Sequence, residues 1–477
     1  MARKIRVLYA TSEAFPFTGT GGLAEVSRAL PLALKEFGVE VDLILPFYEE
    51  VSKKGIPLRR LLDLRLDYGP FKEAEVLVFE EGPLRTFFIH RPEYYFRPFL
   101  YGPPGDAYPD NAQRFSFFCQ AVLALGRTLG WPWDVLHCHD WHTALIPVLL
   151  PLGERPPVLF TIHNHGYQGA FPLKVLEEMQ LPPRAIDTLV HGEGVNFLKG
   201  AILCSEKLST VSPSYALEIQ TPEMGFGLDQ YLRQRSKDLI GILNGVDYSL
   251  WDPRNDPYLP VRFSPKELSR KSLLKRELMS ELGFQPELFN RPLLGMVSRL
   301  VYEKGIELLL AILEVLSKLQ LPLVVLGVGE RRFEEALARA SESLGNIRAV
   351  LAFDETMAHK VIAGSDIYLM PSLYEPCGLN QMVALRYGTI PVVRNTGGLK
   401  DTVKGVDLKT FKGTGFKFSV PKPCYFLKAL LRAVRVYGQK RIWRRLQLEA
   451  MKEDFSWRRQ ASHYLRLYEE LCALNPR

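Results

Sequence analysis

Short apolar runs alternate with helix-period stretches along two separate parts of the chain. The first part opens with Ile5-Arg6-Val7-Leu8-Tyr9-Ala10, a strand pattern, followed by a loop ending in Thr18-Gly19-Thr20-Gly21-Gly22. From Leu23 to Phe37 apolar residues recur at helical spacing, and Gly38 suits a C-cap before the next strand, Val41 to Leu45. Strand, helix, strand predicts a parallel sheet. Between Leu58 and His90 the pattern changes to alternating stretches broken by Gly69-Pro70 and Gly82-Pro83. That change predicts an antiparallel ribbon inserted in the first domain. Strand patterns resume at Val135 to Cys138, Val158 to Ile162, Lys207 to Val211 and Leu239 to Ile242.

Trp251 to Phe263, rich in Pro and Asp, reads as a linker. A second series of strands then follows at Leu293 to Val297, Leu323 to Leu326, Ala349 to Leu351, Ile367 to Met370 and Ile390 to Val393. Helical stretches such as Ile306 to Leu319 and Arg332 to Leu344 separate them, and three more, Tyr425 to Tyr437, Ile442 to Lys452 and Trp457 to Leu474, close the chain. Two such series predict an α/β protein of two doubly wound, Rossmann-like domains, with the cleft between them as the natural ligand site. No internal repeat and no low-complexity tract interrupts them.

Composition narrows the class. At 477 residues, with 47% hydrophobic and 24% charged residues, the chain is a soluble globular protein too long for one core. No apolar run approaches the ~18 residues of a membrane span. Met1 to Ile5 passes directly into a strand pattern, so the expected location is cytoplasmic. A net charge of +7 fits acidic ligands such as phosphates, but the basic clusters at Lys440-Arg441 and Arg444-Arg445 read as solvated helix faces, and neither nucleic acid nor membrane is expected as a partner. The six cysteines are scattered without a C-x-x-C pair and are expected to be reduced.

Candidate chemistry gathers where predicted strands end. Gly19-Thr20-Gly21-Gly22 before the first helix is either a flexible turn or a loop whose N–H groups reach a phosphate or sugar. His137-Cys138-His139-Asp140-Trp141-His142 contains metal-ligand residue types, but alternation points 137 and 139 one way and 138 and 140 the other, so hydrogen bonding to a polar substrate fits better than zinc. In Thr161 to Gly169, His163, Asn164 and Gln168 could serve hydroxyl ligands or only stabilise the turn. Asn244-Gly245 is a turn or a further polar contact. In the second series, Arg299 and Lys304 could converge on a diphosphate or remain solvated surface charges. Glu375-Pro376-Cys377-Gly378-Leu379 forms a strand-to-helix turn able to bring N–H groups and one acid to a ligand, or only a tight connection. Thr396-Gly397-Gly398 lies in the same kind of place. Each signal is weak alone; together they put polar, Gly-rich turns on the carboxyl edge of both sheets.

In order along the whole chain, these landmarks resemble the bacterial glycogen synthases and plant starch synthases, retaining glucosyltransferases of the GT-B fold. The residues carrying the resemblance are Ser12 to Pro16, Gly21 to Val26, His139 to His142, His163 to Gly169, Asn244 to Asp247, Ser298-Arg299-Leu300 with Lys304-Gly305, Glu375 to Leu379 and Thr396 to Leu399. The resemblance implies transfer of glucose from ADP-glucose to the non-reducing end of an α-1,4-glucan, such as glycogen or a maltooligosaccharide, with no metal or other cofactor. It implies an acceptor-side domain at 1–250 and a nucleotide-sugar domain at 251–456, with a last helix, 457–477, crossing back to the first. Arg299 and Lys304 would neutralise the leaving diphosphate. His163, Asn244 and Glu375, with backbone N–H groups around Cys377, Gly378 and Leu379, would hold the glucose. Asp140 would lie on the acceptor side, and Thr396 and Gly397 near the phosphates. Gly21, Gly22 and Asn164 complete the expected binding set. Two positions depart from the family pattern: Gly19 stands where a lysine is usual, and Glu25 where bacterial enzymes commonly carry Asp. The first leaves open a UDP-glucose donor, an oligosaccharide product, or a weakened glucan-binding homologue.

Overall fold

Strands buried on both faces need near-continuous apolar runs, and Val135–His139 and Val158–Ile162 are buried along their full lengths. They stand near the middle of a nine-stranded sheet in a computed structural model, which describes residues 4–103, 105–150 and 155–474. The sheet runs, in spatial order, Leu239–Gly241, Lys207–Thr210, Val158–Ile162, Val135–His139, Arg6–Ala10, Glu40–Pro46, Thr86–His90, Glu73–Phe79 and Arg59–Arg65. The first seven pair in parallel and the last two antiparallel. The stretch read as an inserted ribbon is therefore an extension of the main sheet. Thr86–His90 joins Glu40–Pro46 in parallel, and the two antiparallel strands form the edge. Chain order reverses between Arg6–Ala10 and Val135–His139, the switch point at which open α/β sheets bind ligands.

The second sheet has six parallel strands, in the order Ile347–Val350, Leu323–Leu326, Leu294–Val297, Ile367–Met370, Ile390–Arg394 and Phe416–Phe418. Its switch point falls between Leu294–Val297 and Ile367–Met370. Those two strands feed the Arg299/Lys304 loop and the Glu375 turn.

The chain divides into two compact units, Met1–Gly245 with Trp457–Arg477, and Val246–Ser456. Helix Trp457–Leu474 buries Ala461, Tyr464, Leu467, Tyr468 and Leu471 within the first unit, and the Tyr468 hydroxyl lies 2.8 Å from Nδ1 of His137. The stretch read as a linker is instead packed into the second unit. Asp256, fully buried, receives hydrogen bonds from His359 Nδ1 (2.7 Å) and the Tyr387 hydroxyl, and Trp251 stacks on His359 with ring centres 3.6 Å apart. Asp residues in that segment satisfy buried donors rather than keep the chain in water. Among the described residues no helix is long and apolar enough to cross a membrane, and no disulfide joins the cysteines.

Candidate active site

In the second unit, Arg299 and Lys304 stand on the loop after Leu294–Val297, and Glu375 on the turn after Ile367–Met370. Adjacent strands bring these loops together: Leu373 N–H donates to Glu303 carbonyl at 2.7 Å. The Lys304 ammonium bonds both oxygens of Glu375, at 2.9 and 2.7 Å, and Ser372 Oγ donates to the same carboxylate at 3.0 Å. Only 6% of the Glu375 side chain and 19% of that of Lys304 are exposed. Arg299 differs. Its guanidinium is exposed and reaches Glu303 at only 3.4 Å, so it can swing to an anion at little cost.

Cys377, Gly378 and Leu379 lead into helix Asn380–Arg386, and Gln381 braces the turn by donating to the carbonyls of Cys377 (2.9 Å) and Gly378 (3.0 Å). Thr396 and Gly397 open helix Gly397–Thr402 against the same turn, and Gly398 N–H donates to the carbonyls of Glu375 and Pro376. Gly397 has φ +42°, and a Cβ there would fall 2.0 Å from the Glu375 carbonyl oxygen, so only glycine lets the two loops meet. Arg299, Lys304, Glu375, Cys377, Gly378, Leu379, Thr396 and Gly397 thus share one sheet edge. Phe353, a residue 95% exposed, follows Ile347–Val350 on that edge. Sequence reading missed it, since one aromatic residue in a loop carries no periodic signal.

In the first unit, Gly21 and Gly22 begin helix Gly22–Glu36, and a Cβ on either would meet nothing within 4 Å, so space beside the helix N-terminus is open. The loop before them is fastened from inside by Glu13, a buried carboxylate that accepts from Thr20 N–H, Thr20 Oγ1 and the Tyr101 hydroxyl (2.8 Å). Burial pushes the Glu13 carboxyl up, opposed by those donors. Glu13 was legible only as part of a family motif, because its partners lie 7 and 88 residues away.

Asp140 and His163 end the neighbouring strands Val135–His139 and Val158–Ile162. Asp140, buried with φ +55°, accepts the His163 N–H at 2.7 Å and the Asn164 N–H at 3.5 Å. It therefore positions the turn that carries both residues, while Asn164 Oδ1 accepts Gly166 N–H at 3.0 Å. Burial pushes the Asp140 carboxyl up to about 7, the backbone donors pulling the other way. His163 Nε2 lies 2.9 Å from His139 Nδ1, and burial pushes His163 down to about 3 and His139 well below its ordinary value. Both rings are neutral near pH 7. Asn244 is buried next to Gly245, where the chain passes Trp457 of the last helix.

No group of three or more His, Cys, Asp and Glu side chains converges as metal ligands among the described residues. His137 and His139 are engaged with Tyr468, Thr161 and His163.

Comparison with known proteins gives the family of the chain. The model of the starch synthase catalytic domain matches residues 6–234, and that of glycosyl transferases group 1 matches residues 281–434. The chain is 42% identical to glycogen synthase 2 of Nitrosococcus oceani, covering 98% of each. It is 40% identical to glycogen synthase of Geotalea daltonii, covering 98% of this chain and 99% of that one. Among solved structures, the catalytic domain of starch synthase IV from Arabidopsis thaliana, bound to ADP and acarbose, superposes with TM-score 0.87 at 33% identity, over 99% of this chain and all of the other. Sucrose-phosphate synthase from Thermosynechococcus elongatus shares the fold alone, with TM-score 0.61 at 18% identity. Identity of this degree over nearly the full length, with the two α/β units, means that the chain belongs to the glycogen and starch synthase family of glucosyltransferases.

Proposed function

We propose that this glycogen/starch synthase takes glucose from ADP-glucose and transfers it to the 4-hydroxyl at the non-reducing end of an α-1,4-glucan, with retention of configuration. The observation that carries the reading is the Lys304–Glu375 pair beside exposed Arg299 at the switch point of the second sheet. Breaking the bond between glucose and a diphosphate builds negative charge on the phosphate and positive charge at the anomeric carbon. Preorganised cations and amides aimed at the phosphate therefore contribute most. Arg299, Lys304 and the N–H groups from Gly378 onward supply them, carrying the charge that a metal ion would otherwise offer. Thr396 and Gly397 add N–H groups at the start of a helix. Glu375 and the turn around Cys377 and Leu379 hold the glucose, and Phe353 offers a face on which the base can stack. Within residues 1–250, His163 and Asn244 offer hydrogen bonds to a sugar.

Acceptor groups belong to residues 1–250, with Asp140 and Asn164 shaping that side and Gly21 and Gly22 leaving room at a helix N-terminus. No side chain in this set is an evident nucleophile for double displacement. Attack by the acceptor on the face from which the diphosphate leaves, with a phosphate oxygen taking the proton, fits better, and isolation of a glucosyl-enzyme adduct would refute it. A relative solved with ADP supports the adenine nucleotide. The donor is tested by radiolabelled transfer to glycogen from ADP-glucose and UDP-glucose in parallel. Faster incorporation from ADP-glucose is expected; preference for UDP-glucose would overturn the donor, and no incorporation from either would overturn the activity.

A further inference from the structure

His163 can offer a ligand either a donor or an acceptor, depending on which ring nitrogen carries its proton. Its Nε2 faces Nδ1 of His139 at 2.9 Å, and burial keeps both rings neutral, so one of them must donate. Suppose His163 Nε2–H donates. The His139 proton then sits on Nε2, a buried nitrogen with no hydrogen-bond partner among the described residues. An N–H sealed without an acceptor is an arrangement that folded proteins rarely keep. If His139 Nδ1–H donates instead, only a lone pair remains unmet at His139, the better tolerated of the two. His163 must then carry its own proton on Nδ1.

The surroundings hold His139 in that role. Its ring stacks on Tyr9, with centres 3.9 Å apart and planes 26° apart, and lies 4.0 Å from the ring of His137. His137 is itself fixed between the hydroxyls of Tyr468 (2.8 Å) and Thr161 (2.7 Å), and Thr161 is in turn bonded to Ser209 (2.6 Å). On the other side, Asp140 holds the His163 backbone. We propose that His139 is a positioning residue which fixes His163 as the Nδ1–H tautomer, so that His163 donates a hydrogen bond to an oxygen of the transferred sugar. The role given to the sugar rests on the proposed function; the tautomer does not.

Long-range ¹H–¹⁵N correlation spectra of the ligand-free enzyme, labelled with [¹⁵N]histidine and assigned with His163→Gln, read the tautomer directly. His163 is expected with a protonated Nδ1 and a bare Nε2. His139→Phe keeps a flat ring against Tyr9 and removes the donor. His163 should then lose its Nδ1–H preference, and kcat should fall about tenfold or more while KM for the donor and Tm stay nearly constant. His139→Asn sets an amide N–H where the Nδ1–H stood, and is expected to recover both the tautomer and most of kcat. An Nε2–H signature in the unsubstituted enzyme overturns the proposal, as does His139→Phe with unchanged tautomer and turnover. Absence of transfer from any nucleotide-glucose would instead overturn the proposed function, the spectrum still deciding the tautomer.

Discussion

Glu375 is almost wholly buried and Lys304 largely so, and a pair of that kind is costly to break from one side. In Lys304→Ala, Glu375 keeps Ser372 but loses its counter-charge. About 3 kcal/mol of stability should go with it. Because the same ammonium is assigned to the leaving phosphate, kcat should drop by ~10²-fold or more. Denaturant unfolding and transfer at saturating donor check the two effects separately, and near-full turnover would remove Lys304 from the mechanism. Asp140 gives a pH dependence. Its carboxyl is held at about 7 by burial, against about 3.9 in an unfolded chain. Between those values the folded protein keeps a proton that the unfolded chain has released. The stabilising contribution of this group is therefore complete below about pH 4 and lost as pH rises through 7, at about 1.4 kcal/mol per pH unit across the window. Asp140→Asn can still accept the His163 N–H and does not titrate, so its stability relative to the parent should rise from pH 4 to pH 8. A flat difference across that range would mean that Asp140 stays ionised.

The loop feeding the first helix shows what periodicity cannot read. Thr18 to Gly22 looks flexible by composition, yet Glu13 and Tyr101 clamp it from the interior. Gly19, where the family usually has lysine, is packed tightly. A Cβ there would lie 2.2 Å from that of Ala24 and 2.9 Å from the Phe15 ring. Gly19→Lys should therefore cost about 1–3 kcal/mol by overpacking, and should leave kcat/KM for ADP-glucose no higher. Thermal unfolding with the transfer assay tests this; a gain in kcat/KM at unchanged Tm would show that the loop accommodates the ammonium. Elsewhere the continuous apolar pattern from Ile306 to Leu319 predicts one helix, but two short ones form, Ile306–Leu310 and Leu313–Lys318. The small sheet of Ala170–Pro172, Val190–His191 and Gly194–Asn196 was not legible at all, its strands being two or three residues long.

At the scale of the molecule, Val246–Ser456 is one continuous segment with its own parallel sheet and its own core, including Leu278, Met279, Leu293, Val324 and Val361. Expressed alone, it should unfold in one cooperative transition. It should also bind ADP, and Lys304→Ala in that fragment should weaken the binding. Calorimetry and titration provide the check. A fragment that folds but binds ADP no better than its Lys304→Ala version would move the nucleotide site elsewhere. The start of this segment was misread as a linker, because Pro and Asp mark exposed turns by composition while Asp252 and Asp256 are here buried against Arg386, Tyr387 and His359.

Residue order alone determined the fold class and the family. Apolar runs alternating with helical periods imply parallel α/β sheets, and polar turns at strand ends imply one functional edge on each. Those signals arise within windows of a few residues, where the backbone meets its own hydrogen-bonding needs. Partnership across the fold was decided only by tertiary structure. Lys304 meets Glu375 across 71 residues because Leu294–Val297 and Ile367–Met370 are neighbours in the sheet. His139 meets His163 across 24 residues because Val135–His139 pairs with Val158–Ile162. Strand order is set by which faces can be buried together, a property of the whole chain that no local pattern encodes.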